Sequence, residues 1–357
     1  MTVRVDQDAM RREDASRTDL IEIGLVNSMP DAALETTERQ FIDLVRSAAG
    51  DLPVRLRFFS LPEVPRGERG RRHVAASYGG MDEARNGRLD ALIVTGTEPR
   101  AAALPDEPYW PALAALIDWA EHNTISTIWS CLAAHAAVLH LDGIRRHPLA
   151  EKCFGVFACT KVAEHPLTMG LAPEIPVPHS RWNALRGDEL AARGYEVLTR
   201  SPQAGVDAFS RQGGSLFVFF QGHPEYDAAS LPAEYRRDFA RFVRRESETC
   251  PLPPRGCFDA PTTEVLMRLR ARALRDRREE VLAELATAAS GRELREAWRP
   301  AATRIYRNWL ALVAARKARR LAPAAFAPAP FVERRRRNDP SCYFVGTRDR
   351  RAPAVAR

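Results

Sequence analysis

Between residues 126 and 141 the chain reads STIWSCLAAHAAVLHL, and no other stretch restricts the fold so strongly. Ser126 to Trp129 is β-branched and apolar, as in a strand buried on both faces. Leu132 to Leu141 is rich in alanine and leucine and reads as helix. Cys131 lies at the junction, where its sulfur faces a helix N-terminus. Unsatisfied N–H groups and the macrodipole favour the thiolate there. A free cysteine is more often simply packed. A second strand end turns the reading towards chemistry: FVFFQGHPEYD, residues 217 to 227, runs out at His223, with Glu225 two residues on. A thiol, an imidazole and an orienting carboxylate, each at a strand end, are the parts of an activated nucleophile.

The rest of the chain supplies the sheet on which such ends would lie. LIEIGLVNSM (20 to 29), VRLRFFSL (54 to 61), LDALIVTG (89 to 96) and ISTIWS (125 to 130) read as strands. LETTERQFIDLVRSAA (34 to 49) and YWPALAALIDWAEHN (109 to 123) carry apolar residues at helical spacing between them. Residues 62 to 88 are Gly- and Arg-rich and read as loop around one short helix. This order predicts an α/β fold, a doubly wound and mostly parallel sheet with helices on both faces. In such sheets ligands bind beyond the carboxyl ends of strands, where Gly96, Cys131 and His223 fall. Further strands are expected at 173 to 182, 195 to 201, 207 to 212 and 215 to 221, and C-terminal helices at 262 to 289 and 292 to 319.

Charge and cysteine usage narrow the function class. The formal charge is +7, yet Arg316 to Arg357 holds twelve basic and three acidic residues, so the rest of the chain stands at −2. The basicity belongs to a Pro/Ala/Arg-rich tail, 321 to 357, that reads as a solvated extension, and nucleic acid is not an expected partner. Residues 1 to 17 are charged and read as a flexible N-terminus; 18 to 320 form the expected catalytic domain. No segment is apolar enough to span a membrane. The six cysteines form no CxxC pair or zinc spacing, so no metal site is expected, and a reducing cytoplasm suits a reactive thiol. Three lysines stand against fifty arginines, so Lys152, in LAEKCFGVF, is a candidate for a place that needs a compact ammonium, although a surface position accounts for it equally well.

Six ordered motifs, NSMPDAALETTERQF, ALIVTG with PYWPAL, STIWSC, EKCFGVF, VPHSR and QGHPEYD, resemble the homoserine O-acyltransferases of the homoserine O-succinyltransferase type. The resemblance covers residues 20 to 245, and more loosely AWRPAATRIYRNWL at 297 to 310. It implies the fold of class I glutamine amidotransferases and a Cys–His–Glu set. An acyl group would pass from acyl-CoA to Cys131 and on to the hydroxyl of L-homoserine, in methionine synthesis. His223 would be the base, Glu225 its orienting carboxylate, and Lys152, Ser180 and Arg237 would lie at the substrate site. The family tends towards homodimers and binds no permanent cofactor, with the acyl-CoA as co-substrate. A guanidinium at Arg237 suits an amino-acid carboxylate; a solvated arginine beside Arg236 is the plainer reading. The backbone N–H of Leu132, with one from the loop after Gly96, is the expected oxyanion site.

The family position that separates acyl donors aligns with Arg100, a cation that can pair with the free carboxylate of a succinyl group. The expected activity is therefore homoserine O-succinyltransferase. The alternatives are acetyl transfer, another hydroxyl amino acid as acceptor, or a glutamine amidotransferase-like hydrolase, which expects a glycine-rich elbow that Ser130 to Ala134 lacks. A non-catalytic interaction protein working through its tail need not keep all three site residues. The chain departs from the family at Leu132 and His135, where Trp and Gln are usual, and in the longer segment 255 to 292.

Overall fold

The computed structural model describes residues 4–5, 19–289 and 296–321. The expected N-terminal segment 1 to 17, Arg4–Val5 apart, and the tail 321 to 357, Leu321 apart, lie outside the described residues.

The N-terminal half alternates as its hydrophobic pattern requires: β1 (Arg4–Val5), β2 (Ile21–Val26), α1 (Asp31–Ala49), β3 (Val54–Phe59), α2 (Glu68–Ser77), α3 (Met81–Asn86), β4 (Ala91–Val94), α4 (Trp110–Asn123), β5 (Ser126–Ser130) and α5 (Leu132–Asp142). Then come β6 (His147–Lys161), β7 (Glu174–Ala184), α6 (Gly187–Ala192), β8 (Glu196–Ser201), β9 (Gly205–Gln212) and β10 (Leu216–Phe220). The described C-terminal part is helical: α7 (Ser230–Val243), α8 (Ala260–Arg275), α9 (Glu280–Ala289) and α10 (Arg299–Leu321). Residues 62 to 88 hold two helices rather than one, and the stretch from 262 to 289 is broken in two between Arg275 and Glu280.

All ten strands form one sheet in the order β1-β3-β2-β4-β5-β10-β9-β8-β6-β7. The five pairings from β1 through β10 are parallel. The four from β10 to β7 are antiparallel, so the doubly wound half carries an antiparallel extension. β2, β4, β5 and β10 are buried almost throughout, which is why they read as largely apolar runs, whereas Arg55 and Arg57 alternate with buried residues in β3. Successive residues point to opposite sides. Ile23, Leu25, Ile93, Ile128 and Val218 meet α1 and α10 on one face, through Phe41, Leu44, Tyr306 and Trp309. Val26, Leu92, Val94, Trp129 and Phe217 meet α4 and α5 on the other. The C-terminal α10 is thus part of the core; Trp309 Nε1 donates to Ser126 Oγ at 2.9 Å, and Lys317 Nζ binds Asp90 at 2.7 Å.

A third core joins α7, α8 and α9 to Phe154 of β6. It seats the helical part of the longer C-terminal segment against the antiparallel extension. The long β6–β7 hairpin is the element that brings Lys152 and Ser180 to the same end of the sheet, with Phe154 opposite Ser180 in register.

Candidate active site

β5 ends at Ser130, and Cys131 caps the N-terminus of α5 with φ 52° and ψ −113°. This left-handed backbone costs a non-glycine residue about 1–3 kcal/mol, and strain of that kind marks a functional turn. The turn is held from both sides. Cys131 N–H donates to the Phe220 carbonyl of β10 at 2.7 Å, and the Cys131 carbonyl accepts from Ala134 at 3.0 Å. Gly96 approaches so closely that a Cβ would stand 3.0 Å from the Leu132 nitrogen, so only glycine lets the two strand ends converge.

The neighbouring strand end carries the imidazole. Both His223 and Glu225 are buried, and His223 Nδ1 lies 2.8 Å from Glu225 Oε1. The Cys131 thiol lies near enough to act on the same ring electrostatically, so sulfur and carboxylate both bear on the imidazole. Burial works against a charged ring. The Cys131 and Glu225 charges, with the Glu225 hydrogen bond, outweigh it and hold the His223 pKa well above the usual value. Tyr226 stacks on the imidazole, with centroids 4.1 Å apart and planes inclined by 18°, and shields it from solvent.

His135, one of the departures noted above, has a structural task. It is fully buried, and its Nε2 lies 2.9 Å from Gln221 Oε1, the residue that opens the His223 loop. Burial drives its pKa down to about 3, so the ring is neutral.

These groups stand at the floor of a cleft of about 1400 Å³. One wall is α7, which sequence reasoning did not assign as a helix. Glu234 is the hub of that wall. It accepts from the hydroxyls of Ser180 and Tyr226, and Lys152 Nζ approaches it at 3.4 Å. Lys152 also binds Asp238 at 2.8 Å and sits 4.0 Å from the centre of the Phe154 ring. Arg237 grips Asp238 through two nitrogens, at 2.9 and 2.8 Å, and stands 3.9 Å from Glu234. Burial would push the Asp238 carboxyl up, but Lys152 and Arg237 hold it below its usual value. Two cations and two carboxylates thus balance one another beside the nucleophile, a setting suited to a zwitterion.

Seven of the eight residues singled out from the sequence, Cys131, Leu132, Lys152, Ser180, His223, Glu225 and Arg237, gather at these strand ends and on the adjoining wall. Arg100 does not. Its backbone N–H and that of Ala101 are bound by Glu107 Oε1, at 2.5 and 2.7 Å, and its side chain is exposed outside the cleft lining. From that loop it is Glu98 that reaches the cleft, paired with Arg241 at 3.0 Å. Tyr226, Glu234 and Asp238 were missed. The signal for the last two was the four-residue spacing of Glu234 and Asp238 around Arg237, which reads equally well as a solvated charged face. Among the described residues one cluster has metal-ligand chemistry: Cys159, His179 and Asp207, all buried, with ligand atoms within 4.8 Å of one another.

The sequence pattern of the family described as Homoserine O-succinyltransferase matches residues 4–319. A homoserine O-succinyltransferase of Rhodopseudomonas palustris is 52% identical over 306 residues, 86% of this chain and 92% of that protein. One of Methylorubrum extorquens is 50% identical over 301 residues, 84% and 88% of the two chains. Among solved structures, a glutamine amidotransferase from Methylobacillus flagellatus superposes with a TM-score of 0.45 at 14% identity, over 82% of this chain and 95% of that one.

Proposed function

Because the chain belongs to the homoserine O-succinyltransferase family of acyltransferases, we propose that it moves the succinyl group of succinyl-CoA to the hydroxyl of L-homoserine through a thioester on Cys131, a step towards methionine. Cys131, as thiolate, attacks the thioester carbonyl, and the Leu132 N–H at the start of α5 stabilises the oxyanion. The tetrahedral adduct collapses and expels coenzyme A, which takes its proton from His223. Homoserine then enters with its carboxylate on Arg237 and its ammonium towards Glu234. The now neutral His223 removes the hydroxyl proton as that oxygen attacks the acyl carbon. Collapse of the second adduct releases the O-succinyl ester and restores the Cys131 thiolate. Glu225 keeps the ring in one orientation and stabilises its protonated form.

The observation that carries this reading is Cys131 beside the hydrogen-bonded pair His223–Glu225, facing the charge-balanced Glu234–Arg237–Asp238–Lys152 wall. Succinyl as donor rests on the relatives and not on Arg100. No described helix is long and apolar enough to cross a membrane, and the five described cysteines are free, in keeping with a cytoplasmic enzyme. The test is intact-protein mass after mixing with succinyl-CoA alone. One succinyl adduct at Cys131, discharged by L-homoserine faster than by L-serine or water, is the expected result. Absence of an adduct with succinyl-CoA, or a faster and larger one with acetyl-CoA, overturns the corresponding part of the proposal.

A further inference from the structure

Behind the imidazole of His223 lies a second buried histidine and carboxylate, His179 on β7 and Asp207 on β9, 0% and 2% exposed. They surround the backbone that presents His223. The Asp207 carbonyl accepts the Gln221 N–H at 2.8 Å, and its carboxylate is packed directly against Gly222. The next amide, that of His223, donates at 2.8 Å to Pro178, the neighbour of His179. The amides of Gln221 and His223 are therefore held by the strands that carry this pair, with Gly222 packed between them. Thr199 fixes the carboxylate, its hydroxyl donating to Asp207 Oδ2 at 2.7 Å. Gly222 is packed so tightly that a Cβ would stand 2.6 Å from Asp207 Oδ1 and 2.7 Å from Val177 Cγ1.

With Cys159 the pair could be taken for a zinc site, since sulfur, nitrogen and oxygen donors suit that ion. The tautomer argues otherwise. Arg181 Nε donates to His179 Nδ1 at 3.4 Å, which leaves the ring proton on Nε2, facing Asp207 Oδ1 at 3.5 Å. A protonated nitrogen is no ligand. The cluster reads as a guanidinium bonded to an imidazole, with the carboxylate in contact on the far side of the ring.

We propose that Asp207 and His179 are positioning residues, which clamp residues 221 to 223 so that the His223 ring meets Cys131; this rests on the reading of His223 as the base. A buried carboxylate packed against the loop glycine is a costly anchor, and its use directly behind a reacting ring is the kind of support that keeps such a ring in register.

The test compares Asp207→Ala, Asp207→Asn and Gly222→Ala with wild type in initial-rate kinetics, in the alkylation rate of Cys131 by iodoacetamide, and in thermal unfolding. Loss of the Thr199 hydrogen bond to a charged acceptor, and of the packing against Gly222, predicts a fall in kcat of about ten- to a hundredfold for Asp207→Ala, with KM for homoserine within about twofold. Cys131 alkylation should slow in parallel. Asp207→Asn keeps an acceptor oxygen and should recover most of kcat. Gly222→Ala, which leaves Asp207 in place but forces the loop outward, should reproduce the kcat defect even if Asp207→Ala fails to fold. Wild-type kcat in folded Asp207→Ala or Gly222→Ala, or an Asn variant no better than Ala, overturns the proposal. So does stoichiometric zinc in the purified protein whose removal reproduces the defect. If wild type forms no succinyl adduct on Cys131, the underlying reading fails instead; if it does and Asp207→Ala acylates as fast, only this inference fails.

Discussion

Replacing Glu225 by glutamine isolates the charge in the nucleophile line while keeping its shape. Glu225 Oε1 and His223 Nδ1 are 2.8 Å apart, with side chains only 5% and 9% exposed, so solvent does little to screen the pair. A hydrogen bond to a charged group contributes about 1.5–3 kcal/mol and a neutral one about 0.5–1.5 kcal/mol, so the variant forfeits about 1–2 kcal/mol. If that difference is expressed in the transition state, kcat falls by about five- to thirtyfold. The sign of the pH effect follows from the balance at His223. Burial lowers its pKa, while Cys131 and Glu225 raise it. Without the Glu225 charge only Cys131 opposes burial, so the ring gives up its proton at a lower pH than in wild type. The assay is the pH dependence of Cys131 alkylation by iodoacetamide, followed by rapid-mix succinylation with succinyl-CoA. A group with a raised pKa in the fold stabilises it below its unfolded pKa, near 6.5, and loses that contribution as pH rises through the folded value. The stability deficit of Glu225→Gln should accordingly be widest near pH 6 and narrow at alkaline pH. A variant with wild-type kcat and an unshifted alkylation profile refutes the role assigned to Glu225.

Arg237→Ala should raise KM for homoserine by about ten- to a hundredfold, the loss expected when a carboxylate forfeits its guanidinium, while acylation by succinyl-CoA alone stays near wild type in stopped-flow measurements. Arg100→Ala should leave KM for succinyl-CoA within about twofold, because that side chain is exposed outside the cleft lining and surface charges contribute little; a larger change in steady-state assays would bring the loop back into donor recognition. Asp207→Asn should stabilise the fold even as it tests the loop clamp. Burial, offset in part by Thr199, Arg181, Gly222 and His223, raises the Asp207 pKa from 3.8 to about 6, so keeping it ionised costs about 3 kcal/mol. A raised acid loses stability as pH climbs between those values, so the Tm advantage of the variant should grow across that window and level off above it in calorimetry.

How much of this was legible depends on the range of the forces involved. The parallel half could be read because β2 and β4 are buried almost throughout, which writes apolar runs such as IEIGLV and ALIV into the chain. Cys131, His223 and Glu225 could be read because each follows such a run directly. The antiparallel extension was harder. β6 spans fifteen residues, is buried irregularly along its length, and holds Gly155 at φ +137° against the Arg255 backbone; its apolar pattern therefore has no single period. Arg100 was placed in the cleft by alignment alone, whereas the bond from Glu107, seven residues on, sets its loop otherwise.

Glu234 and Asp238 are answered by Lys152, 82 and 86 residues away in sequence, a pairing that local spacing does not encode. His179 and Asp207 gave no local sign, since their neighbours are brought by separate strands. Amphipathic period, strand ends and the residues at them are properties of a few consecutive amino acids, so the sequence by itself determines them. Whether a polar side chain is buried, and which charge answers it, depends on contacts made between distant segments. That pairing, and with it the substrate wall and the support behind His223, exists only once the sheet has closed its order.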